Sequence, residues 1–157
     1  MSTPTNRTLP GPPERLRRLP TWLVNQLSLR TVRAIAERLD RPTARLDFAV
    51  LATLEEFGAM SQADLGRRLG LDRSDVAAVL DRLEDDALAQ RSPDCADRRR
   101  NVISLTPEGS QLLEELERRF DEAQALFLSP LTARERAELT RLLQRLVDHH
   151  AGTTSGR

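Results

Sequence analysis

Between Ser61 and Thr106, two short helical patterns meet at a tight turn and run directly into an arginine-tipped hairpin. Few folds accommodate that order. The first pattern is SQADLGRRLG and the second is DRSDVAAVLDRLEDDA. Ser61 with Asp64 three residues on resembles a capping box with a shorter acid. Leu65 and Leu69 form the buried side of this helix, and Gly70 permits the turn. Asp72 is placed to cap the next helix, and Asp75 adds negative charge near its positive end. Val76, Val79, Leu80 and Leu83 share one face of that helix. The opposite face holds Ser74, Ala78 and Asp81, with Ala77 and Arg82 at its edges. Two strand-like stretches follow, 88–91 and 101–105, the second rich in β-branched residues. Their loop ends in Asp97-Arg98-Arg99-Arg100.

A helix pair of this size can present its second helix to a DNA major groove. Small and polar residues on its outer face suit close approach to base edges. An arginine-tipped hairpin beside it can enter the adjacent minor groove. The combination reads as a winged helix-turn-helix, and double-stranded DNA is its expected partner. The helix pair alone also fits a helical hairpin in an ordinary α-domain, an interaction module with no DNA role. Against DNA stand seven acids over residues 61–86, with four arginines. The hairpin tips the balance, because three consecutive arginines repel one another unless they meet a polyanion. Salt bridges to Asp94 and Asp97 are the competing account of that turn. Asp97 and Arg99 are two apart, so in extended backbone they point to the same side. Asp97 can then hold Arg99 in one rotamer.

Composition narrows the alternatives. The chain has 157 residues and no net formal charge, so a DNA binder must concentrate its positive charge locally. It does so at residues 98–100 and over residues 1–41, which hold eight arginines and three acids. Every basic residue is arginine, a better fork than lysine for phosphates and guanine edges. Aromatics are 3%, too few for single-strand binding by stacking. A single cysteine, Cys95, excludes an intramolecular disulfide and a zinc knuckle. His149 and His150 diverge on a helix and cannot chelate one metal as a pair. No triad order, phosphate loop or metal spacing marks an enzyme, so no cofactor, metal or catalytic residue is expected. No apolar run is long enough for a membrane, and the N-terminus lacks a signal-peptide core. A cytoplasmic protein is expected.

The remaining segments read as helices around this unit. Residues 1–14 form a Pro/Thr-rich disordered arm. One helix runs from about 15 to 39, with Trp22, Leu23, Leu27, Val32, Ile35 and Leu39 on one face and Pro42 as its break. A second spans 44–57, ending at Gly58. Thr106-Pro107-Glu108 starts a long helix to about Leu128, which Ser129-Pro130 ends. Thr132 with Glu135 forms another capping box, and the last helix runs to about His149. Its stripe of Leu139, Leu142, Leu143, Leu146 and Val147 needs a partner, and a second copy of the chain supplies one. The expected division is residues 15–42 and 107–150 for dimerisation, 43–106 for the winged helix-turn-helix, and 151–157 as a frayed tail.

These motifs resemble the MarR (multiple antibiotic resistance regulator) family of transcription factors, over about residues 20–150. The specific part is the wing pattern Asp-x-Arg-x-x-x-Val/Ile, met by Asp97, Arg99 and Ile103, with LDRSDVAAVLDRLEDDALAQR before it and LTPEG after it. The resemblance implies a mainly α fold with a small β-wing, α1-α2-α3-α4-β-wing-β-α5-α6, as an intertwined homodimer. Each fourth helix enters a major groove of a near-palindromic operator. Arg73, Ser74, Asp75, Ala78 and Arg82 would lie on that helix. Arg99 would be the minor-groove residue, oriented by Asp97 and flanked by Arg98 and Arg100. It further implies a repressor released by a small aromatic or phenolic ligand. Trp22, Asp47 and Phe48 are candidate pocket residues, with Arg45 and Phe120 near them. Trp22 also reads as dimer or core packing. Cys95, beside three arginines, leaves a thiol-based redox regulator as the alternative.

Overall fold

The computed structural model describes residues 11–39, 43–94 and 101–154. Pro20 breaks the first expected helix in two. A single helical turn, Glu14–Arg17, precedes helix α1, Pro20–Ala36. Leu19, just before the proline, is extended at ψ 107°, because the pyrrolidine ring disfavours helical backbone in the residue ahead of it. Pro20 itself sits at the first helical position, where a missing N–H costs nothing. Helix α2, Ala44–Phe57, has the expected bounds and ends at Gly58.

The helix-turn-helix follows as α3, Gln62–Leu69, and α4, Arg73–Asp85. Each expected cap is made. The Ser61 hydroxyl accepts from the Asp64 N–H at 3.2 Å and donates to its carboxylate at 2.6 Å. The Asp72 carboxylate accepts from the Asp75 N–H at 2.9 Å. Gly70 closes α3 at φ +65°, the left-handed backbone that glycine adopts without a Cβ penalty. Leu65, Val76, Val79, Leu80 and Leu83 are all at most 2% exposed and pack with Val50, Leu51 and Leu54 of α2. Each such side chain contributes about 1.5–3 kcal/mol on burial, so this cluster sets how α4 is rotated on its support.

Strands β1, Ala89–Pro93, and β2, Asn101–Leu105, pair antiparallel from Ala89–Leu105 to Pro93–Asn101. Met60 adds a third strand position that sequence patterning missed. Its N–H donates to the Ile103 carbonyl at 3.1 Å, and the Ile103 N–H returns a bond at 2.8 Å. The wing is thereby stitched to the end of α2. Helix α5, Pro107–Phe127, is capped by Thr106, and α6, Ala133–Thr154, by Thr132 and Glu135 in the expected reciprocal box. Helix α6 runs past His149, because nothing in residues 150–154 forces a stop: there is no proline, and one glycine costs only about 1 kcal/mol.

α1 packs on α5 through its C-terminal half only. Leu39, Ala44, Leu116 and Phe120 form a small second core there. Farther out, Leu23, Val24, Leu27 and Val32 of α1 and Leu142, Leu143, Leu146 and Val147 of α6 remain exposed, Val147 at 66%. Leu39 of the first expected stripe is buried and Trp22 and Ile35 are half-buried, but the rest of that stripe and most of the second are left uncovered by the described residues.

The junction between α4, the wing and α5 is tight. Ala87 adopts φ +59°, while the Leu88 N–H reaches back to the Leu83 carbonyl at 2.7 Å. Thr106 donates its hydroxyl to the Ala87 carbonyl at 2.8 Å. A Cβ at Gly109 would stand 2.0 Å from the Leu88 carbonyl oxygen, a backbone atom that cannot step aside. Gly109→Ala is therefore expected to lower stability by about 1–3 kcal/mol. Ala87→Gly, which relieves left-handed strain, is expected to be neutral or to gain up to about 1 kcal/mol. Denaturant unfolding at fixed protein concentration checks both, and a harmless Gly109→Ala contradicts the packing.

Candidate nucleic-acid interface

Helices α3 and α4 emerge with their N-termini side by side, tied where Gln62 Nε2 donates to the Arg73 carbonyl at 3.4 Å. Buried Val76, Val79, Leu80 and Leu83 fix the inner face of α4, so Arg73, Ser74, Asp75, Ala78 and Asp81 lie exposed on the outer one. Four of the five residues expected on the reading helix are thus placed where a groove can receive them. The Ser74 hydroxyl donates to Asp72 at 2.7 Å. That bond, with the Asp75 N–H, holds the Asp72 carboxyl below its ordinary range. Its folded pKa is depressed, so the cap is present at neutral pH and lost as pH falls through that lowered value.

Arg82, the fifth, is redirected. Its Nη2 pairs with Asp47 Oδ1, and Asp47 is fully buried, while the Arg82 side chain is 30% exposed. The second carboxylate oxygen, Oδ2, accepts from the Thr43 hydroxyl at 2.9 Å. Arg82 therefore braces the reading helix against the start of α2 instead of reaching toward bases. Its Nε is buried with no hydrogen-bond partner among the described residues, so the brace is imperfectly solvated.

The same pair changes the expected ligand pocket. Asp47 is occupied by Thr43 and Arg82. Phe48 packs on Phe120 with ring centroids 4.7 Å apart. Trp22 is half-buried on α1. None of the three lines the apolar cavity present between α1 and α2, about 340 Å³, which is formed by Val32, Ile35, Ala36, Leu39, Thr43, Ala44, Arg45 and Leu46. Of the expected polar neighbours, Arg45 alone belongs to it. Asp97, Arg98, Arg99, Arg100 and Cys95 lie outside the described residues.

Sequence reasoning missed Arg91. This β1 residue contacts Asp81 at 3.1 Å and Glu84 at 2.9 Å through its guanidinium, and its N–H donates to Glu84 at 3.1 Å. The available signal was two acids three apart on one helical face, with an arginine in the strand that returns past it. Among the described residues no cluster of three or more His, Cys, Asp or Glu is arranged for a metal, and no helix is long and apolar enough to cross a membrane.

Two helices joined at a tight turn, the second exposing small polar side chains, with a β-hairpin stitched beside it, define a winged helix-turn-helix DNA-binding protein. The model of the MarR family matches residues 45–100. The transcriptional repressor NicR of Pseudomonas putida is 30% identical over 109 residues, 69% of this chain and 69% of that protein. The PcaV transcriptional regulator of Streptomyces coelicolor, solved with its natural ligand, superposes with TM-score 0.75 at 32% identity, over 85% of this chain and 94% of that one. BpsR of Bordetella bronchiseptica, whose DNA binding is regulated by 6-hydroxynicotinic acid, gives TM-score 0.77 at 28% identity, over 88% and 99%. The chain belongs to the MarR family. It is a DNA-binding transcriptional regulator and not an enzyme, which sets aside the reading of a helical module without a DNA role.

The Asp47–Arg82 pair gives an asymmetric expectation. Arg82→Ala removes the guanidinium from a fully buried carboxylate and should cost about 3 kcal/mol. Asp47→Ala leaves a guanidinium that still reaches water, and should cost about 1–2 kcal/mol. Unfolding of both single variants and the double variant checks this; equal single losses would mean the carboxylate is wet.

Proposed function

We propose that the protein is a homodimeric repressor that grips a near-palindromic operator and is released by a small aromatic or phenolic acid. The observation that carries the DNA part is the outer face of α4. Arg73, Ser74, Asp75 and Ala78 are exposed there on a helix whose inner face is fully buried. In this reading they meet the major groove, and Arg98, Arg99 and Arg100 meet the flanking minor groove and phosphates, with Asp97 orienting Arg99. Residues 43–106 form the DNA-binding unit, and residues 15–42 with 107–150 the dimerisation region. The uncovered apolar stripes of α1 and α6 support a second copy, because aliphatic rows of this length are not left in water by a stable soluble chain. Two copies also double the phosphate contacts and space the reading helices by one DNA turn. Such a protein works in the cytoplasm, where the operator is.

Support for the ligand comes from the cavity between α1 and α2. Its wall is aliphatic and Arg45 stands on its lining, a combination that suits a planar ring bearing a carboxylate. PcaV, solved with its natural ligand, and BpsR, regulated by 6-hydroxynicotinic acid, make regulation by small molecules the natural comparison. A ligand there acts by favouring a spacing of the two reading helices that misses the operator register, and must bind that state better by a few kcal/mol.

Gel shift on the DNA upstream of the gene, at two or more salt concentrations, tests the reading. Arg99→Ala is expected to weaken binding across sequences and to reduce the salt slope by about 1 per site. Affinity and slope equal to wild type would contradict the minor-groove assignment. Leu146→Glu is expected to shift sedimentation toward the monomer and abolish tight operator binding; a dimer that persists refutes the α6 interface.

A further inference from the structure

We infer that Arg91 is a positioning residue for DNA binding: it ties the root of the wing to the reading helix and fixes the angle between the two groove-entering elements. This rests on the assignment of α4 and the wing as the DNA contacts. Arg91 is the middle residue of β1, paired with Ile103 of β2. It makes three polar contacts to α4. The backbone N–H donates to Glu84 Oε1 at 3.1 Å, Nη1 stands 2.9 Å from Glu84 Oε2, and Nη2 stands 3.1 Å from Asp81 Oδ1. Asp81 and Glu84 are one turn apart on the same side of α4, so the planar guanidinium spans that turn while its own backbone is held at one end.

The geometry matters more than the energy. Glu84 is 24% exposed and Arg91 33%, but Asp81 is 65% exposed. Ion pairs this wet add little stability. Three bonds from one residue to two carboxylates nevertheless restrict both sliding and rotation of β1 against α4, which a single point contact does not. The Met60–Ile103 pairing holds β2 from the opposite side. The hairpin is thus fastened on each strand, and Arg91 is the fastening that refers it to the reading helix. A wing that swings about α4 still carries its arginines, but their effective concentration at the flanking groove falls. Arg91 also offsets one of the two negative charges that Asp81 and Glu84 place on the element that must approach phosphates. Charge and position are therefore separable hypotheses, and Arg91→Lys separates them, because it keeps the charge and loses the fork.

The experiment compares wild type, Arg91→Lys and Arg91→Gln, each first shown to keep its melting temperature. Hydrogen exchange without DNA reads the wing directly, and hydroxyl-radical footprinting on the upstream DNA reads both grooves. Both variants are expected to exchange faster at the β1 and β2 amides and to lose protection of the flanking minor grooves. Central protection should persist, with affinity down about tenfold. Full rescue by Arg91→Lys would reduce the residue to a counter-charge and overturn its positioning role. So would unchanged wing exchange and flank protection in Arg91→Gln. A wild-type protein that protects no DNA would overturn the DNA reading and this role with it. An unaltered footprint in a variant of a protein that does bind removes only the role of Arg91.

Discussion

A carboxylate with no exposed surface faces the one guanidinium of the reading helix that turns inward. Asp47 meets Arg82 across 35 positions of sequence, with Thr43 on its other oxygen. An isolated charge at that depth is costly, so Asp47 demands a cation at one place on α4. The apolar face of α4 sets its rotation approximately, since aliphatic packing tolerates small slips. The ion pair narrows that tolerance, because a slipped helix would separate the buried carboxylate from the Arg82 guanidinium. What α4 shows to solvent follows from its apolar face and this lock together.

Local signals were legible before any coordinates. Ser61, Asp72, Thr106 and Thr132 each cap the helix expected of them, because a cap is decided by residues three apart. The bounds of α2 and the inner face of α4 likewise follow from spacing and a terminal glycine. What could not be read depends on contacts distant in sequence. Arg82 sits at the edge of the outer face by helical geometry alone, and only the approach of α2 turns it inward. Asp47 and Phe48, expected at a pocket, are found one bound to Arg82 and the other packed at a tilt on Phe120. Met60 carries no strand pattern, since a single bridge needs only one extended residue. Pro20 is the exception, a local signal passed over in favour of the longer apolar period around it.

The uneven distribution of burial carries its own argument. The winged unit closes its core within one chain, with Val50, Leu51, Leu65 and Leu80 at 0% exposure. The helices that flank it do not. Leu23, Leu27 and Val32 on α1 and Leu142 to Val147 on α6 are regular enough to be designed faces and yet stand in solvent. A chain that packs one half to completion and leaves the other half open assigns the halves different tasks. The closed half completes its core with Leu113 of α5, while the stripes of α1 and α6 stay open. In the proposed dimer, that separation would let a change at the open half alter the distance between the two copies of α4 without unpacking either one.

Charge completes the picture. A chain with no net charge, and more acids than arginines between residues 61 and 86, looks ill suited to a polyanion. The acids are largely spoken for. Asp64 is engaged by Ser61 and Arg67, Asp72 by Ser74 and the Asp75 amide, and Asp81 and Glu84 by Arg91. Arg67 offsets the charge of Asp64, and Arg91 offsets one of the two charges of Asp81 and Glu84, which shortens the reach of their field. Net composition therefore misrepresents the potential that DNA meets. Small side chains and helix N-termini can approach phosphates without a strongly basic surface. The electrostatics of this face therefore depend on geometry: moving Arg67 or Arg91 would make it more negative.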